Sequence, residues 1–123
     1  MKIVIQNGCD HALSRREVES MVPLFPGRWH SDVHSIVLYQ GEDKEITTKY
    51  FEKEQILGLF SPKNFNSILA KQKAVEELLI GLEAIAKFGH LSKIHNKSTR
   101  QDLVDGTNDI REHCFELLKS NAT

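Results

Sequence analysis

At 123 residues, 40% hydrophobic and 27% charged, the chain has the make-up of one globular domain able to bury a core without disulfide or metal. Its 16 basic and 17 acidic residues give a formal charge of −1, which excludes a global field drawing the protein to nucleic acid or a membrane surface. A spanning helix needs roughly 20 mostly apolar residues; Glu76, Glu77, Glu83 and Lys87 interrupt the most apolar stretch, and the run Ile3, Val4, Ile5 is too short for a signal-peptide core. These features point to a cytoplasmic protein in which Cys9 and Cys114 are free thiols.

Residues 2–6 form an apolar run ending at Asn7-Gly8, a first strand. Ser14 and Glu17 have the spacing of a capping box, and Val18, Met21 and Val22 share one face of the helix that follows. Pro23 and Pro26-Gly27 stop it. Three strands are expected at 33–39, 46–51 and 55–60, with Ile46, Thr48 and Tyr50 on one side of the second. The links at 41–43 and 52–54 are short enough for antiparallel hairpins.

From Val75, apolar residues at 78, 79, 82, 85 and 86 recur at helical spacing, and Gly89 is placed to end that helix. A last helix opens at a capping box over 98–101 and carries Leu103, Thr107, Ile110, Cys114 and Leu117. The expected fold is a single α+β domain over 1–123, strand-rich over 1–62 with a helical hairpin over 64–119. Its order is β-α-β-β-β-α-α, with a mainly antiparallel sheet of about four strands packed against helices.

The order β-α-β-β-β-α over residues 2–88 resembles the N-terminal half of the zincin metallopeptidases. In that family the helix after the sheet carries HExxH, two zinc-ligating histidines and a glutamate base. The matching helix here has no histidine over 74–83, and none occurs from Ser35 to Gly89. The resemblance therefore implies a chain without that metal chemistry, and no catalytic residue carries across. In size and style the chain also resembles the short orphan proteins of bacterial mobile (integron-type) gene cassettes, which implies a cytosolic accessory protein.

Several constellations bear on chemistry. Cys9 and Arg15 have the C-x5-R spacing of a phosphate-binding thiolate loop, but no glycine lies between them and Asp10 would repel an anion. His30, Asp32 and His34 alternate, which on a strand projects them from one face as candidate metal ligands. No acidic residue occurs from Ala84 to Gln101, where Lys87, Lys93, Lys97 and Arg100 form a candidate anion site before a helix N-terminus. His90, His95, His113 and Cys114 lack finger spacing. Glu76, Glu77 and Glu83 read as a solvated helix face, and Gly81 and Ala84 as a patch permitting close approach within the fold or across a dimer.

No spacing meets the geometry of a known reaction, so the leading expectation is a non-enzymatic interaction module without cofactor. The strands at 33–39 and 46–51 carry few charges and offer edges for a C2 homodimer. One alternative is a small-molecule binder or enzyme with a pocket lined by Trp29, His34, Tyr50 and Glu77. Another is an anion or nucleic-acid contact through the basic loop at 87–100; no membrane partner is expected.

Overall fold

A computed structural model describes residues 1–121, with the side chain of Asn121 excepted. In chain order it holds strand β1 (Lys2–Ile5), helix α1 (Arg15–Met21), strands β2 (Ser35–Gly41), β3 (Thr47–Phe51) and β4 (Ile56–Pro62), then helices α2 (Ile68–Phe88), α3 (Lys97–Gly106) and α4 (Asn108–Asn121). Short 3-10 turns lie at Val22–Leu24, Gly27–His30 and Ser92–His95.

The sheet has four strands in the order β1-β2-β4-β3. Its pairing corrects the antiparallel expectation. The β3–β4 hairpin is antiparallel, but β2 pairs in parallel with both β1 and β4. Instead of a β2–β3 hairpin, the chain steps past one strand position after Gly41, runs along the edge as β3, and returns as β4 between them. Ile46, 4% exposed, anchors the end of that step in the core. The strand at 33–39 is consequently central and has no edge to offer; the edges are β1 and β3.

Register divides the sheet into two faces. Ile3, Ile36, Leu38, Leu57 and Leu59 point into the main core, where Val18 and Met21 of α1, α2 from Ala70 to Ile85, and Cys114 and Leu118 of α4 meet them. Val4, Val37, Tyr39, Ile56, Phe60 and Phe51 lie on the opposite face, half-buried and outside that core. There Tyr39 stacks on Phe60 at 4.8 Å, and the rings of Phe60, Tyr39 and Phe51 close over Gly58. A Cβ at Gly58 would lie 3.0 to 3.3 Å from all three, so the residue leaves the rings room to pack on bare backbone.

The caps explain where helices begin and end. Ser14 and Glu17 make the expected capping box. Gly89, at φ +80°, ends α2 in the left-handed conformation with its N–H on the Ile85 carbonyl. The last helix differs from expectation. Asn96, not Ser98, caps it by accepting from the Thr99 N–H, and it breaks into α3 and α4. At the break, buried Thr107 donates Oγ1–H back to the Leu103 carbonyl at 2.9 Å, and Arg111 donates to the Val104 carbonyl at 3.0 Å. The Thr107 N–H still reaches the Leu103 carbonyl at 3.1 Å, so these side chains add bonds to the last carbonyls of α3 beside Gly106, a poor helix former.

The loop after β1 is strapped across the far ends of β2 and β4. His11 Nδ1 accepts from the Leu13 N–H at 3.0 Å, so its Nε2 carries the proton donated to the Leu59 carbonyl at 2.9 Å. Ser61 Oγ accepts from the Ala12 N–H, and Lys71 caps the Ala12 carbonyl while pairing with Glu17. Burial holds the His11 pKa below its usual 6.5. In the unfolded chain His11 takes its proton near that value while the fold resists it, so acidification favours unfolding. We predict that the urea midpoint falls between pH 7.5 and 5.5 and that His11→Asn reduces this fall; identical pH slopes for both proteins would contradict the assignment.

Candidate functional site

A groove of about 550 Å³ runs along the outer side of β3. Thr47, Thr48 and Tyr50 form one bank, Lys73 and Glu77 of α2 the floor, and His90, Leu91, Ile94, His95 and Arg100 the other bank. Each part has a local cause. β3 is an edge strand, so alternate backbone N–H and C=O groups face away from β4 into this space. Lys73 and Glu77 are one helical turn apart on α2 and share a face. The far bank is held by a second apolar cluster in which Ile94 and Leu103 close on Ile80 and Ala84.

Glu77 is the electrostatic centre. It is 7% exposed; its Oε1 accepts a hydrogen bond from Arg100 Nη2 and forms an ion pair with Lys73 Nζ at 3.1 Å. A buried carboxylate is tolerated only when paired, so α3 is drawn back onto α2 across the groove. Two cations share one carboxylate, leaving a local excess of one positive charge. The Thr48 hydroxyl on the opposite bank is buried and has no hydrogen-bond partner among the described residues.

The expected pocket set is therefore split. Tyr50 and Glu77 line the groove. Tyr50 also donates its hydroxyl to the Asp32 carbonyl at 2.6 Å. Trp29, 1% exposed, is a core residue against Phe25, its Nε1–H reaching Glu83 at 3.5 Å. His34 is exposed beyond the start of β2, beside the Ser35 hydroxyl.

The basic set divides likewise. Arg100 enters the groove, whereas Lys87 and Lys93 hold their ammonium groups 5.7 and 4.7 Å from the Phe88 ring centroid, and Lys97 begins α3. His30, Asp32 and His34 precede β2 in a 3-10 turn and a bend, so strand alternation does not align them. Among the described residues no group of three or more His, Cys, Asp or Glu is arranged to hold a metal.

Other expectations change with burial. Glu77 and Glu83 are not a solvated face: Glu83 takes a two-bond clasp from Arg28 at 3.0 and 2.6 Å. Gly81 faces Leu57 and Thr48 within the fold, and Ala84 is wholly buried, so neither is available to a dimer. Partial burial, reinforced by Asp10, raises the Cys9 pKa, which opposes a thiolate, and Arg15 is engaged by Glu19. Burial pushes the Cys114 thiol up to about 11.

Lys73 is a groove residue not singled out from the sequence, although its spacing of four from Glu77 was an available signal; Lys49, Leu91 and Ile94 also line the groove and carried none. We predict that Glu77→Ala lowers stability by about 1–2 kcal/mol in urea denaturation, since it strands the partly buried Arg100 and unties it from α2, while Glu76→Ala stays within about 0.5 kcal/mol. Equal effects would show that the cluster does not tie the groove together. No protein-family model, curated protein or solved structure matches this chain.

Proposed function

We propose that the protein is a non-enzymatic binding module that receives an extended polypeptide segment in the β3 groove. The observation that carries this reading is the coincidence of a strand edge with a concave, charge-bearing wall. Main-chain groups of Thr47–Phe51 supply hydrogen bonds to an added strand, and the side chains of α2 and of the 90–100 segment supply selectivity. A bound strand would extend the sheet and satisfy the edge that the fold leaves open. The test is selection of a random-peptide display library on immobilised protein, followed by amide-shift titration. Selected peptides are expected to move the resonances of Thr47–Tyr50, Glu77 and the 90–95 bank. Failure to select any binder, or shifts confined elsewhere, would refute the reading.

Self-association is a second reading, favoured by the bare face of a largely parallel sheet. Parallel strands are ordinarily covered on both faces, and here the face carrying Val4, Val37, Tyr39, Ile56 and Phe60 lies outside the helix-packed core that covers the other. Strand spacing and rise give this face about 400 Å², against about 800 Å² per partner in a standard stable interface. The dimer is accordingly weak. Sedimentation velocity is expected to show a monomer–dimer shift at high micromolar concentration that Val4→Lys abolishes; a monomer throughout would remove this reading.

A further inference from the structure

We infer that the segment received by the β3 groove carries one central acidic residue with uncharged neighbours. This rests on the groove reading above and names its ligand chemistry. Lys73 and Arg100 converge on the single carboxylate of Glu77, so this three-residue cluster keeps one positive charge in excess, balanced across the whole lining only by Glu45 and Glu52 against Lys49. The bank behind them has no carboxylate at any position from Ala84 to Gln101. An arginine held by one bond to a carboxylate retains donors for a second, and a ligand carboxylate beside Arg100 and Lys73 would balance the cluster's charge.

The placement is restricted along the strand. Glu45 and Glu52 border the groove at the two ends of β3, so acidic residues at the ends of a ligand meet like charge. The middle of the strand is different. Lys49 also lines the groove there, although its register puts it on the outer face with its ammonium 5.2 Å from the Phe51 ring centroid, and Thr48 and Tyr50 are uncharged on the inner face. A second copy pairing its own β3 about Lys49 would set two ammonium groups opposite each other, which disfavours that occupant. An acidic side chain at the centre of a foreign strand faces Arg100 and Lys73 on the inner side. Its apolar neighbours then fall on the outer side, in continuity with Ile56 and Phe51.

The experiment compares two capped pentapeptides, acetyl-Thr-Val-Glu-Val-Thr-amide and its Gln counterpart, in amide-shift titrations of the whole protein at low salt. Both are expected to shift Thr47–Tyr50, with the Glu peptide binding about tenfold more tightly. Lys73→Gln, at an exposed lysine, and Arg100→Gln are each expected to bring the ratio toward one. Equal affinity of the two peptides for the wild-type protein would overturn the acidic specificity and leave the groove reading standing. A preserved ratio in both variants would overturn the assignment to Arg100 and Lys73. Absence of β3 shifts with either peptide would overturn the groove reading and this inference with it.

Discussion

The burial of α2 is the constraint on which the rest of the structure depends. From Glu77 to Leu82 every residue of this helix is buried, because the sheet lies on one side while α3, α4 and the 92–95 turn close over the other. Each fully buried leucine or isoleucine contributes about 1.5–3 kcal/mol by leaving water, so the helix fixes what packs around it. It also creates a difficulty, since a carboxylate falls within the buried belt. Pairing Glu77 with Arg100 and Lys73 resolves it, and that same pairing sets the width and charge of the groove. The site thus arises from a packing demand.

The topology opens this groove. By inserting β4 between β2 and β3, the chain places a five-residue strand at the edge, directly beside α2. Thr48 can lie close to α2 because Gly81 presents no side chain there. The opposite face of the sheet takes a different course. Its aromatic rings pack on one another over Gly58, which shields backbone but leaves a shallow apolar surface.

Local signals in the sequence were sufficient for most elements. The capping box at Ser14, the stop at Gly89, the β3–β4 hairpin and the apolar repeat of α2 were legible because each depends on neighbours a few residues away. Strand order was not, because pairing β2 with β4 is a long-range choice that no local turn specifies. The uninterrupted run Ile36, Val37, Leu38 was the available hint, as central parallel strands read as continuous apolar runs. The site was legible only in pieces. Tyr50 and Glu77 stood out as pocket candidates and Arg100 as part of a separate anion site, and only the close of α3 against α2 brings Arg100 to Glu77 across 23 positions. Trp29 was misplaced because an indole reads equally as core or pocket until its neighbours are known.

The claim at the centre of this account is that β3 is paired on one side and open on the other. Residue-resolved hydrogen exchange over Thr47–Phe51 tests it most directly. The account predicts alternation: amides bonded to β4 exchange slowly, and those facing the groove exchange at rates near those of exposed loops. Uniform protection along β3 would contradict it by showing the edge already covered, and uniform rapid exchange would contradict it by showing that the strand does not hold its place against β4.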